Sequence, residues 1–151
     1  MTLRAALLTP LGRLVVGETE GVITSLRWSD EVAADDSPLL RQALAQLAGY
    51  FAAERQTFDL PLDWGEGLHA RVRRAMAAIP FGQTRSYGEI ARAVGAPAQA
   101  VGQACGANPV PVIIPCHRVL GANTLGGYSG RGGVETKVWL LRHEGAAGLL
   151  L

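Results

Sequence analysis

Long apolar runs are missing from this sequence. The first ten residues, Met1 to Pro10, offer a brief apolar stretch that is too short for a secretory core or a membrane span. A cytoplasmic protein with no membrane contact is therefore expected. Cysteine is scarce too: Cys105 and Cys116 are the only two, with no CxxC and no Cys/His spacing of the zinc-binding kind. This argues against a disulfide framework and against a metal, and leaves both thiols free. Repeats, heptads and low-complexity tracts are lacking. The glycine-rich stretch from Gly126 to Gly133 has no Gly-Lys-Ser/Thr ending and follows no strand of a βαβ unit, so it is not a phosphate loop. No nicotinamide, flavin or methyl-donor site emerges, and no cofactor is expected.

What is present is an ordinary globular composition, 48% apolar and 18% charged over 151 residues, enough for one or two small cores. The net charge of +1 conceals an asymmetry. Residues 1–67 carry 5 Arg against 10 acidic residues, and residues 68–151 carry 9 Arg plus Lys against 3 Glu. A basic half suits a polyanion such as nucleic acid, whose phosphates are bound by arginine and lysine. An acidic domain docked on a basic one accounts for the same numbers.

Between Leu7 and Trp28, short β-branched runs separated by Thr9-Pro10-Leu11-Gly12 and Glu20-Gly21 predict antiparallel strands. Asp30 to Asp36 reads as an acidic loop. Ser37-Pro38 resembles a capped helix start, with Leu40, Leu44, Leu47 and Phe51 at helical spacing to cover the sheet. Phe58 to Trp64 is proline-broken and extended, a connector to a second unit. There Leu68, Val72, Met76 and Ile79 form a helical stripe that leaves Arg71, Arg73 and Arg74 nearer the outer surface. Ser86-Tyr87-Gly88-Glu89 has the form of a capping box opening a helix with Ile90, Ala91 and Val94. Gly95-Ala96-Pro97 then turns into a further helix, roughly Ala98 to Gly106, giving a helix-turn-helix candidate. On that last helix Val101, Ala104 and Cys105 predict a core face. Gln99, Gly102, Gln103 and Gly106 present two amides and bare backbone, suited to a grooved partner or to close helix packing.

Chemistry concentrates in Asn108-Pro109-Val110-Pro111-Val112-Ile113-Ile114-Pro115-Cys116-His117-Arg118-Val119. Three prolines stiffen a short buried run that delivers Cys, His and Arg in succession, a rigid platform for a nucleophile. Cysteine reacts as thiolate, so a base or cation must help remove its proton. Neighbouring side chains diverge, and His117 would reach Cys116 more naturally through a bridging water than directly. A histidine base needs an acceptor behind it, for which Glu144 is the candidate; Glu89 is better explained as a cap. A buried cysteine beside a surface histidine is the alternative.

The block Asn108 to Leu120, with Gly126-Gly127-Tyr128-Ser129-Gly130 and Lys137 to Gly145, closely resembles the O6-alkylguanine-DNA alkyltransferases. Pro-Cys-His-Arg-Val matches their active-site string. The likeness reaches upstream through Ile79 to Tyr87 and, faintly, to Thr9-Pro10-Leu11-Gly12 and Phe58-Asp59-Leu60-Pro61. It implies an α+β protein: a small N-terminal antiparallel sheet with a helix, ribonuclease-H-like, over residues 1–67, then a mostly helical DNA-binding and alkyl-acceptor domain with a winged helix-turn-helix over residues 68–151. The implied function is DNA repair. The protein would flip O6-alkylguanine, and O4-alkylthymine, out of double-stranded DNA and transfer the alkyl group irreversibly to Cys116, acting once, as a monomer. Residue by residue, the resemblance makes Cys116 the acceptor, His117 its water-mediated base, Glu144 the end of the relay and Asn108 the brace of the turn. Tyr87, Ser86, Gln99, Ala100, Gly102, Arg118, Tyr128 and Ser129 correspond to substrate or DNA contacts. Arg118 also suits a role in fixing local structure. Three positions depart from the family pattern: Gln99 stands at the usual arginine, the 130–136 loop is two residues longer, and Arg73 replaces a common tryptophan. A lesion sensor without transfer and a cysteine hydrolase are the competing readings.

Overall fold

In a computed structural model of the chain, residues 1–121 and 133–146 are described. They form an α+β protein in two compact units, which meet in sequence at Asp63 and Trp64.

The first unit is a meander of three antiparallel strands, β1 (Thr2–Thr9), β2 (Gly12–Thr19) and β3 (Val22–Trp28), in that spatial order. Glu20 and Gly21, with φ of 51° and 83°, supply the two left-handed residues that a two-residue hairpin needs to match strand twist. The helix α1 (Pro38–Phe51) starts at Ser37, whose hydroxyl accepts from the Leu40 amide at 2.9 Å. It packs on β1 and β2. Its buried face is Leu40, Ala43, Gln46, Leu47 and Tyr50, so Leu44 and Phe51 sit at its margins rather than on it. The buried Gln46 ties down the connector by bonding both the carbonyl and the amide of Asp59, at 3.0 and 2.8 Å. Both sheet edges are covered. The acidic segment pairs with β1, where the Asp35 amide donates to the Arg4 carbonyl at 2.9 Å. The connector pairs with β3, where the Ile23 amide donates to the Pro61 carbonyl at 2.8 Å. An unprotected edge would be a template for foreign strands.

The second unit begins with Trp64 and Gly65 lying against α2 (Gly67–Ala77). The Arg74 guanidinium covers the Trp64 ring at 4.5 Å, and a side chain at Gly65 would collide with Arg73. Arg73 is therefore not the outward residue its spacing suggested: it is buried, packed under this turn. The helix α3 (Tyr87–Val94) opens on a complete capping box of Ser86 and Glu89 and ends at Gly95, whose φ of 70° is left-handed. After Ala96 and Pro97, α4 (Ala98–Gly106) begins. α2, α3 and α4 pack on one another over Val72, Met76, Ile90, Val101 and Ala104. Two short strands, β4 (Arg85–Ser86) and β5 (Val119–Leu120), pair in parallel and join the start of α3 to the end of the Cys116 segment. The closing helix is α5 (Val134–His143).

Candidate active site

The segment after α4 is held by Asn108. Its side-chain oxygen accepts from the Val110 amide at 3.1 Å and its side-chain NH2 donates to the Ile114 carbonyl at 2.9 Å. The two bonds bracket Val112, a buried β-branched residue at φ 73°. That conformation is strained for any residue with a branched Cβ, and the surrounding bonds enforce it. Pro115 then leads into a single 3-10 turn, Cys116–Arg118, which feeds β5.

Within this turn the three side chains go separate ways. Cys116 is buried, and burial pushes its thiol up, against hydrogen bonding from the Asn108 side chain and the positive charge of Lys137. His117 is wholly enclosed, with Nε2 2.7 Å from Glu144 Oε2. Its Nδ1, equally buried, has no hydrogen-bonding partner among the described residues. Burial drives the imidazole below its ordinary value; Glu144 resists this, and Arg118 and Lys137 add to it. Glu144 caps the end of α5. Burial alone would raise its carboxyl, but the bonds and charges of His117 and Arg118 hold it down at about 2.

Arg118 grips that carboxylate with both edges of its fork, Nε to Oε1 at 2.8 Å and Nη2 to Oε2 at 2.9 Å, while Nη1 donates to the Ile79 carbonyl at 2.7 Å. With the side chain committed inward and only 6% of the residue exposed, Arg118 does not reach a phosphate backbone. The guanidinium therefore sits as the local brace that its sequence position also suited, and not among the DNA contacts. Tyr87, the first residue of α3, is half-buried, and Ser86 is occupied as that helix's cap. On α4, Gln99 is exposed and Ala100 and Gly102 are half-exposed; a Cβ at Gly102 would meet nothing within 4 Å. Tyr128 and Ser129 lie outside the described residues. Hydrogen bonds and chain adjacency thus gather Asn108, Cys116, His117, Arg118 and Glu144 into one buried cluster, of which Gln99, Ala100 and Gly102 on α4 are not part.

Comparison with known proteins bears on what such a cluster is for. Residues 67–146 match the DNA-binding domain of 6-O-methylguanine DNA methyltransferase, and residues 3–64 match its ribonuclease-like domain. The chain belongs to the 6-O-methylguanine DNA methyltransferase family. The constitutive methylated-DNA–protein-cysteine methyltransferase of Bacillus subtilis is 44% identical over 90% of this chain and 91% of its own. The crystal structure of the Mycobacterium tuberculosis O6-methylguanine methyltransferase superposes with a TM-score of 0.84 at 38% identity, covering 100% of this chain and 97% of that one. A second structure, of Mycobacterium tuberculosis OGT in complex with DNA, gives 0.82 at 42% identity, covering 93% of this chain and 91% of that one.

One residue of this methyltransferase-family site was missed by sequence reasoning. Lys137, on α5, is fully buried, donates to the Val119 carbonyl at 2.7 Å and lies 6.0 Å from the centre of the Tyr87 ring. Burial lowers its ammonium to about 8, opposed by the pull of Cys116 and Cys105. A charge reaching both thiols lowers the cost of a thiolate at either one. The signal was available: it is the only lysine in the chain, on a helix that otherwise uses arginine.

Proposed function

We propose that the chain is a cytoplasmic, monomeric DNA-repair protein that removes the alkyl group from O6-alkylguanine in double-stranded DNA onto Cys116, once per molecule, and accepts O4-alkylthymine as well. The observation that carries this is the buried array of His117 bonded to Glu144, Asn108 and Lys137 around one thiol, in a family named for alkyl transfer to cysteine. In this reading residues 68–151 do the binding and chemistry, and residues 1–67 support them. O6 of a paired guanine lies within the duplex, so the nucleotide must leave the stack to meet a side chain held this deeply. Gln99, Ala100 and Gly102 face the DNA, with Tyr87 and Ser86 beside the extruded nucleotide; Tyr128 and Ser129, outside the described residues, are assigned to substrate contact by the family resemblance alone.

The thiol proton leaves for the free Nδ1 of His117 through one water, and Glu144 stabilises the charge the ring acquires. Lys137 favours the thiolate electrostatically. Sγ then attacks the alkyl carbon: the S–C bond forms as the C–O6 bond breaks. The electron pair of that bond stays on guanine, which takes up the proton that the thiol gave away. The thioether is not reversed by anything in this scheme, so turnover ends there.

Intact mass after incubation with an oligonucleotide containing O6-methylguanine tests the proposal. A gain of one methylene equivalent, mapped to the Cys116 peptide and lost in Cys116→Ser, is expected. Lesion binding with no mass gain would indicate a sensor, and an adduct on Cys105 would overturn the assignment of the nucleophile.

A further inference from the structure

Arg118 is the least obvious member of the cluster, since a buried carboxylate bonded to a histidine already forms a complete pair. The protein nevertheless surrounds Glu144 with a second, stronger partner at 2.8 and 2.9 Å, itself anchored on the turn that follows α2 through the Ile79 carbonyl. Oε2 is shared: it accepts from Arg118 Nη2 and from His117 Nε2 together. A carboxylate that only had to orient the ring would need no such neutralisation.

We propose that Arg118 is a positioning residue for His117, whose charge keeps the His117–Glu144 pair at a single proton, on Nε2, and so leaves Nδ1 open as an acceptor. The inference rests on the reading of His117 as the base given above.

The argument is one of charge counting. With Arg118 the buried set of guanidinium, carboxylate and neutral imidazole sums to zero. Without it, the bonded His117–Glu144 pair carries a negative charge with little access to solvent, offset only in part by the nearby Lys137 ammonium, and taking up a proton relieves it. That proton has two places to go. If the ring takes it, the imidazolium carries hydrogen on Nδ1. If the carboxyl takes it, the acid donates to Nε2 and the ring's own hydrogen must sit on Nδ1. Either microstate fills Nδ1, the atom without a hydrogen-bonding partner among the described residues, and the pair titrates as a unit. The other cation acting on His117 is Lys137 of α5, whose charge works in the same direction as Arg118 and whose ammonium donates to the Val119 carbonyl. Arg118 bonds both oxygens of the Glu144 carboxylate.

The test follows protonation of His117 Nδ1 by 15N NMR of histidine-labelled full-length protein against pH, beside single-turnover alkyl transfer. Arg118→Gln keeps a donor without the charge; Arg118→Lys keeps the charge without the fork. The midpoint for Nδ1 protonation should rise by at least one pH unit in Arg118→Gln and stay near wild type in Arg118→Lys. The acid limb of the transfer rate should move with it. Should Arg118→Gln fail to fold, Arg118→Met combined with Glu144→Gln removes both charges at once, and its Nδ1 midpoint should lie at or below that of wild type. A midpoint unchanged in Arg118→Gln, or raised equally in Arg118→Lys and the double variant, would reduce Arg118 to a packing residue. Failure of the underlying reading looks different: His117→Ala would then transfer at the wild-type rate, whatever the NMR midpoints do.

Discussion

Replacing Glu144 by Gln removes the anion on which Arg118 and His117 converge, and its consequence can be worked out from the linkage between protonation and folding. The carboxyl is held at about 2 in the folded protein against an ordinary 4.5. A depressed carboxyl stabilises the fold fully above its unfolded value, and the contribution disappears as pH falls through the folded one. The difference of roughly 2.5 units corresponds to about 3 kcal/mol at neutral pH, of which about 2 kcal/mol is gone by pH 3. Glu144→Gln cannot titrate. It also strands the Arg118 guanidinium in the interior, so at pH 7 it should be destabilised by about 3 kcal/mol or more, the usual penalty for removing one partner of a buried pair. Urea titrations of both proteins at a series of pH values, followed by circular dichroism, measure the gap between them. It should narrow by about 3 kcal/mol between pH 6 and pH 2, because wild type loses what the variant never had. A gap constant over that range would mean that Glu144 is not ionised in the folded state, and the charge balance built on it would fall.

Asn108→Ala leaves the Val110 amide without its acceptor and takes one of two donors from the Ile114 carbonyl, which still accepts from the Cys116 amide, so stability should fall by about 2 kcal/mol in the same titration; Asn108→Asp, which puts a negative charge beside the thiol, should slow alkyl transfer more than it affects the fold. Lys137→Met should slow transfer by removing the cation near Cys116. Because the folded value of Lys137 lies below its unfolded one, the charged lysine opposes folding below about pH 8 and ceases to as pH rises toward 10.5; wild type should therefore gain on Lys137→Met over that interval in urea titrations, and parallel curves would contradict a buried ammonium. Gln99→Arg should speed single-turnover repair in duplex DNA more than in single strands, since a flipped nucleotide leaves a gap only in a stack, and Gln99→Ala should do the reverse. Equal effects in both contexts would remove Gln99 from the gap.

The parts of the fold that could be read from sequence are those fixed by local chemistry. The capping box at Ser86, the Ser37-Pro38 helix start and the Glu20-Gly21 turn are each decided within four residues, and each formed. Readings that depended on a helix's rotation relative to its neighbours were less exact. Arg73 faces inward because Gly65, at φ 76°, folds the preceding chain over it, a contact between positions eight apart that periodicity along α2 does not register. Arg118 and Lys137 were misjudged or passed over for a related reason: a cation reads as surface unless its counter-charge or acceptor is known, and Glu144, Ile79 and Val119 are brought to them by tertiary packing. The strain at Val112 was equally invisible, since nothing in a valine announces a left-handed backbone.

A reagent that can be spent once must first survive storage. Thiols in a cell meet peroxides, disulfides and stray electrophiles continuously, and they react with them chiefly as thiolates and in proportion to their exposure. Cys116 is 8% exposed, and its surroundings hold the proton on sulfur in the resting protein. Under the proposed chemistry that reluctance is an asset: the sulfur that would be consumed by the lesion is kept from cheaper reactions during the long interval before a lesion arrives. The same enclosure implies that alkylating or oxidising probes should label Cys116 slowly in the native protein and rapidly once it unfolds, so that the shelf life of the acceptor is set by how tightly the second unit stays closed.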